Sequence, residues 1–313
     1  MSTPSPPPSL LLALPEELLS LILHLAAPDA LPALLHTCTT THRICTPLLY
    51  HTLHLAAPGP TAALARTLAA RPALATHVRA LTVASTAGAL APVLQAIVRA
   101  RAPLALLDVT LDAAWPGAAD ADAFGPQMMA GERDVAAGRA VGGALAALAD
   151  VRRLVVRRRK AYLSFERLQA VTDGLAQAVA AWASLESVTI AFRLSAPDAG
   201  PAAGFAGAGV GAPGLALAGA ARLREFRTAL PAVWNPAILA VSANPALERI
   251  VLTIPRVRAA GVAGAAESGV LVWEDQVVSP QEIASRAGGP QATLWMRQAW
   301  KHPRLVALLT ASA

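Results

Sequence analysis

Histidine and cysteine are the commonest protein ligands of zinc. Residues 36–55, HTCTTTHRICTPLLYHTLHL, hold four of the chain's seven histidines and both of its cysteines. A metal reading would use His36, Cys38, His42 and Cys45, spaced H-x-C-x₃-H-x₂-C. Structural zinc sites use other, paired spacings. In a helix, Cys38, His42 and Cys45 would recur at i, i+4 and i+7, continuing a stripe from Leu31 and Leu34. Free cysteine on such a stripe acts as a small hydrophobe. Packing is therefore expected here, and no residue is assigned as a metal ligand.

A second chemical candidate is the basic run RRLVVRRRK at 152–160. Arginine forks hold carboxylate and phosphate groups through paired N–H donors, which makes Arg153, Arg157 and Arg159 candidates for a substrate surface. Leu154 and Val156 interrupt the run at strand spacing, so the arginines are expected on a strand's solvated face. A nuclear-targeting or nucleic-acid patch is the weaker alternative. GVGAPG (209–214) fits G-x-G-x-x-G, but no strand-like segment precedes it and no acidic residue follows at the usual distance. It reads as a loop. The sequence contains no G-x-S-x-G, G-x-x-x-x-G-K-[ST] or H-E-x-x-H, and Asp108, Asp112 and Glu186 stand singly. No catalytic residue and no cofactor are expected, although an α/β enzyme assembled from distant residues stays open.

Composition bounds what could position these groups. The chain has 313 residues, 55% hydrophobic and 15% charged, which argues against global disorder. Much of the apolar share is alanine, and no stretch offers the roughly 20 uninterrupted apolar residues of a spanning helix. A net charge of +6 is modest for this length and suits solubility as well as an acidic partner. The start, MSTPSPPPSLLLALPEELL, lacks the basic segment of a signal peptide, and residues 1–11 read as a disordered leader. Two cysteines give no disulfide framework, so a reducing compartment, cytoplasmic or nuclear, is expected.

Residues 12–56 read as short helices. Leu14, Leu18, Ile22 and Leu25 recur at helical spacing, and Pro15 with Glu16 and Glu17 suits a first turn. APDALP (27–32) is a turn. A second helical stripe is expected to end at Pro47, and APGP (57–60) marks a boundary. Beyond it one pattern returns: apolar, two residues, apolar, one residue, apolar. It appears as Val78–Leu81–Val83, Leu104–Leu107–Val109, Val151–Leu154–Val156, Leu185–Val188–Ile190 and Leu247–Ile250–Leu252. A weaker copy is Leu223–Phe226–Thr228.

This L-x-x-L-x-L spacing is the strand portion of a leucine-rich repeat. Helix-like stretches lie between copies, at 61–72, 89–102, 139–150, 164–183 and 236–243. Third positions follow one another at 24 (Thr228 to Leu252) to 47 residues (Val109 to Val156). Regular repeats are about 20–29 residues, so the array is irregular, with Ala/Gly/Pro insertions at 113–139 and 196–219. The fold class is α/β: a helical block, then parallel strands alternating with helices as a repeat-like solenoid over 57–256. A doubly wound sheet is the competing arrangement. Residues 257–313, with Trp273, Trp295 and Trp300, are expected to form a hairpin-like segment and one or two helices that cap the last repeat. Trp182 and Trp234 are expected in the core. Trp295 and Trp300 suit capping, or less favourably binding.

The stretch LPEELLSLILHLAAPDALPALLHTCTTTHRICTPLLYHTLHL (14–55) resembles an F-box. It opens on Leu-Pro, runs through Leu18, Ile22 and Leu25, and closes on Pro-Leu-Leu-Tyr. The order of leader, F-box, irregular leucine-rich repeats and Trp-bearing tail resembles fungal F-box proteins. That resemblance implies a non-catalytic substrate-recognition adaptor of a cullin-based ubiquitin ligase. The block would dock the Skp adaptor, and the repeats would hold a protein substrate. By position, Leu14 and Pro15 would anchor the adaptor contact. Leu18, Leu19, Ile22, Leu34, Leu35, Pro47 and Leu48 would divide between that interface and the block's own core. The alternative is a non-ligase repeat scaffold whose first block only caps the solenoid edge.

Overall fold

The computed structural model describes residues 14–26, 30–55, 58–83, 90–111, 127–158, 165–190, 212–230, 235–259, 271–278 and 294–311. The leader expected over 1–11, together with Arg159, Asp112 and Trp234, lies outside the described residues.

Three helices open the chain: α1 (Glu16–Leu25), α2 (Leu31–Leu35) and α3 (Thr39–His51). Pro15 precedes α1, and Glu16 and Glu17 occupy its first turn, where negative charge meets the helix dipole favourably. Leu19, Leu23, Leu31, Ile44 and Cys45 are buried together in a small core, with Leu34, Leu35, Leu48 and Leu49 packed around it. Arg43 on α3 ties down α1 through two bonds to the Glu16 carboxylate, at 2.8 and 2.5 Å.

The apolar residues of α1 divide between two stripes, and two expectations for this block are corrected. Leu18, Ile22 and Leu25 are exposed, and the neighbouring stripe of Leu19 and Leu23 is buried. Pro47 does not end α3 but lies inside it. A buried Ile44 and Cys45 and the half-buried Leu48 and Leu49 flank that proline, and their packing carries the helix past one missing N–H. Cys38 and His42 do not continue a single inner stripe, because a turn separates α2 from α3. Cys38 is the N-cap of α3, with its sulfur accepting from the Thr41 N–H, and His42 is exposed.

From α3 the chain runs directly into the sheet. The strands are β1 (Thr52–Leu55), β2 (Ala80–Val83), β3 (Leu104–Leu111), β4 (Val151–Arg158), β5 (Ser187–Ile190), β6 (Glu225–Ala229), β7 (Arg249–Ala259) and β8 (Leu271–Val277). Strands β1 to β7 pair in chain order and all in parallel, while β8 returns antiparallel to β7. Between them lie α4 (Pro58–Ala70), α5 (Pro72–Ala75), α6 (Leu90–Arg99), α7 (Gln127–Ala146), α8 (Phe165–Ala181), α9 (Ala212–Gly219) and α10 (Pro236–Ser242). Two more, α11 (Leu294–Ala299) and α12 (Pro303–Thr310), follow β8. No described helix is long and apolar enough to cross a membrane.

A doubly wound sheet reverses its strand order at a switch point and carries helices on both faces. Here the order never reverses, and the described helices share one core on one face. The register makes that core a set of rows. Leu53, Leu81, Leu107, Leu154, Val188, Phe226 and Ile250 stand in one row, and all are buried. Leu55, Val83, Val109, Val156, Ile190, Thr228 and Leu252 form the next. The leading apolar residues Val78, Leu104, Val151, Leu185, Leu223 and Leu247 are buried beneath the turns that enter each strand. Against these rows pack Leu68 of α4, Leu94 and Ile97 of α6, Leu145 of α7, Leu175 and Val179 of α8, Leu217 of α9 and Val241 of α10. The three-then-two spacing thus states the packing directly, because alternate strand residues face one side.

Two Ala/Gly/Pro tracts read as insertions contain helices. Helix α7 starts at Gln127, and α9 takes in the second half of GVGAPG. Alanine and leucine favour helix, and burial of Leu217 adds a tertiary contact. The C-terminal boundary expected at 257 falls inside β7, which runs to Ala259 and forms the hairpin with β8. Helix α12 closes the far side: Leu305, Leu308 and Leu309 join the core. Arg304 donates to the carbonyls of Ser242 and Asn244, at 2.6 and 2.5 Å.

The connections differ sharply between the two rims of the sheet. Each passage from helix into strand takes four to six residues from β2 through β7. Passages from strand to following helix range from two residues, at 56–57, to twenty-one, at 191–211.

Candidate functional site

Two surfaces carry the residues singled out in the sequence. The first is the outer side of the N-terminal block. Leu18 is 49% exposed, Leu21 56%, Ile22 44% and Leu25 77%. On α1 these positions fall at i, i+3, i+4 and i+7, which is one continuous helical face. Pro15 is exposed at its start and Leu14 is half-buried. The residues assigned to docking therefore separate. Leu18, Ile22 and Pro15 face outward, and Leu19 belongs to the block's core. Leu34, Leu35 and Leu48 are half-buried against that core, and Pro47 is half-buried beside them. Leu21 was not singled out by the sequence reading, although its spacing from Leu18 and Leu25 was the available signal.

The histidine and cysteine cluster points in several directions. Cys45 is fully buried, and desolvation pushes its thiol pKa up. Cys38 is half-exposed, and its pKa is lowered, first by the hydrogen bond from the Thr41 backbone N–H. His36 and His42 are exposed. Among the described residues no three histidine, cysteine, aspartate or glutamate side chains converge as a metal site would require.

The second surface is the face of the sheet opposite the helices. A cleft of about 770 Å³ opens over β4 to β7. Arg153, Arg157, Arg224, Arg227 and Arg249 line it, against Glu186, Glu225 and Glu248. On β5 the same face carries only Ser187 and Thr189, which leaves a low floor between charged neighbours. The outward slots of successive strands fall in register, so Arg153, Ser187, Glu225 and Arg249 form one row. One residue earlier lies an alternating row of Arg152, Glu186, Arg224 and Glu248. Its ion pairs are Arg152–Glu186 at 2.8 Å and Arg224–Glu248 at 3.8 Å.

Glu225 is the most enclosed of these charges, its side chain only 11% exposed. Both Arg227 and Arg249 donate to it. Burial acts to raise its pKa, and the two guanidinium groups outweigh that and hold the carboxyl below its usual range. Glu186 is likewise lowered, chiefly by its bond from Arg152. Arg157 pairs with Asp108 at 3.3 Å. Arg153 is exposed and has no ion-pair partner among the described residues.

Two of the three arginines expected on this surface, Arg153 and Arg157, therefore stand on the cleft wall. The sequence reading missed Arg224, Arg227 and Arg249 as members of the same face. Part of the signal was present in the repeated motif: Arg249 in LERIVL holds the slot that Arg153 holds in VRRLVV, and Arg224 in LREF holds that of Arg152, while Arg227 falls between the two apolar slots that follow. Trp182 is buried, and its indole N–H donates to the Leu148 carbonyl at 3.0 Å. Trp300 is partly exposed after α11. No protein-family model matches the chain, and no curated protein matches its sequence.

Proposed function

We propose that the chain is a substrate-recognition adaptor of a cullin-based ubiquitin ligase, docking the Skp adaptor with the helical block of residues 12–56 and holding a protein substrate on the open face of the sheet. The supporting observation is the second apolar stripe of α1. The block already has its own core through Leu19 and Leu23, yet Leu18, Leu21, Ile22 and Leu25 remain uncovered on the adjoining face. Contiguous exposed apolar patches of this kind mark interaction surfaces. The row-by-row pairing of β1 to β7 with helices on one side suits a leucine-rich-repeat-like solenoid, whose opposite face is open for a partner. In this reading the chain contributes recognition and no chemistry of its own.

A non-ligase scaffold, in which the block serves only as an N-terminal cap, accounts for the contact of Tyr50 with the sheet's core. It gives no use to the four exposed α1 side chains.

Binding of the purified full chain to a purified Skp adaptor tests the reading. Wild-type chain is expected to retain the adaptor, and Leu18→Glu with Ile22→Glu is expected to weaken retention at least tenfold without loss of helix content. Interface hot spots cost about 2 kcal/mol or more when removed, so the double change should exceed that threshold comfortably. Leu14→Ala with Pro15→Ala should weaken it as well. No retention by the wild-type chain, or equal retention by both variants, would overturn the proposal.

A further inference from the structure

Taking the open sheet face as the substrate surface, we infer that it binds an acidic protein segment in extended conformation, laid across β4 to β7 with two carboxylates four residues apart. One carboxylate meets Arg153 and the other meets Arg249.

The argument begins with register. Arg153 and Arg249 occupy the same outward row, separated by Ser187 on β5 and Glu225 on β6. Neighbouring strands lie about 4.8 Å apart, so three intervals place the two backbone positions about 14 Å from each other. An extended chain rises about 3.4 Å per residue, and residues i and i+4 project from the same side about 14 Å apart. The ladder and an extended ligand crossing it therefore match over one four-residue step.

Charge decides the chemistry of the two ends. Arg153 has no carboxylate of its own among the described residues. Arg249 shares Glu225 with Arg227, so two guanidinium groups meet one carboxylate. Both positions keep N–H donors for an incoming acid, and Arg249 is 46% exposed. A single phosphate would need several donors converging on one point. These cations instead stand three strands apart, with a hydroxyl and an occupied carboxylate between them. The same arrangement governs the middle of the ligand. Residue i+2 would face Ser187 and Glu225, where a hydroxyl or a basic group fits and a third acid does not.

Fluorescence anisotropy on the full chain tests this at low ionic strength. The probe is a labelled nine-residue peptide of serine and threonine with two glutamates four residues apart. We expect it to bind at least tenfold tighter than the same peptide with its glutamates two apart, or with a third glutamate midway. Arg153→Glu should weaken binding at least tenfold and Arg153→Gln several-fold. Unchanged thermal melting would show that both variants fold. Equal affinity for the two spacings, no binding of the four-apart peptide, or indifference to Arg153→Glu would overturn the inference. So would tighter binding of a peptide carrying one phosphoserine and no glutamate, which would favour a single-point anion. Adaptor retention measured on the same preparations reads only the N-terminal block. Peptide failure with adaptor binding intact therefore rejects this inference and leaves ligase docking standing.

Discussion

Glu225 shows how one side chain holds the open face together. It links Arg227 on its own strand to Arg249 on the next, from a position that water scarcely reaches. Its folded pKa lies below the unfolded value, so the stabilisation is complete above the ordinary carboxylate range. It is lost as pH falls through the folded pKa. Glu225→Gln should lower unfolding free energy at pH 7 by about 1 kcal/mol, since both arginines can turn to solvent. It should also flatten the decline of the urea midpoint below about pH 4.5, the ordinary carboxylate range. A variant with the wild-type acid profile would show that the bridge contributes nothing. At this scale the sequence was only partly readable. The run at 152–160 drew attention because its arginines are adjacent, whereas Arg224, Arg227 and Arg249 are scattered over 26 residues and meet only through parallel register. Asn244 is similar: its buried amide donates to the Leu217 and Ala220 carbonyls, a role that no local pattern encodes.

Helices α7 and α8 meet at glycine. A β-carbon added at Gly174 would land inside the backbone of Gly142. Alanine is the better helix former by about 1 kcal/mol, but overpacking of a tight core contact commonly costs about 1–3 kcal/mol. Gly174→Ala should therefore destabilise the chain on balance, measured as a lower thermal midpoint. An unchanged or higher midpoint would mean that the helices separate at little cost. The end of α6 shows the reverse situation, a demanding backbone filled by an ordinary residue. Arg101 adopts φ 50°. Its N–H bonds the Val98 carbonyl while that of Ala102 bonds Ile97, the Schellman closure usually built on glycine. Element type was legible wherever apolar spacing was strong, as in α6 and the strands. It was not legible in 113–139 or 196–219, where small residues leave no apolar period and α7 and α9 depend on contacts with neighbouring helices.

At the scale of the molecule, two cores lie side by side. Leu19, Leu23, Leu31, Ile44 and Cys45 form one, and the rows beneath the sheet form the other. Leu23→Ala should destabilise the N-terminal block by about 2–4 kcal/mol. Amide exchange should then rise in α1 and α3, while protection in β3 to β5 stays at the wild-type level. A uniform rise across both would show one cooperative unit. The repeated strand motif makes the second core readable in the sequence. The first was harder, because α1 is apolar on two adjoining stripes and only packing against α3 decides which one is covered.

The unequal rims of the sheet carry a consequence for how such a chain can diversify. On the rim where helices enter strands, the turns are locked strand to strand: Glu186 N–H to Arg152, then Arg224 N–H to Glu186, then Glu248 N–H to Arg224, at 2.8–2.9 Å. A residue inserted between such a bond and its strand would turn that strand's polar slots to the wrong side. On the opposite rim, connections already span two to twenty-one residues within one continuous ladder. Closing a loop twice as long costs only about 0.6 kcal/mol. New segments can therefore be grafted at that edge while the charged rows stay in step. The molecule can change what it displays along one margin and keep the charged face of the sheet unaltered.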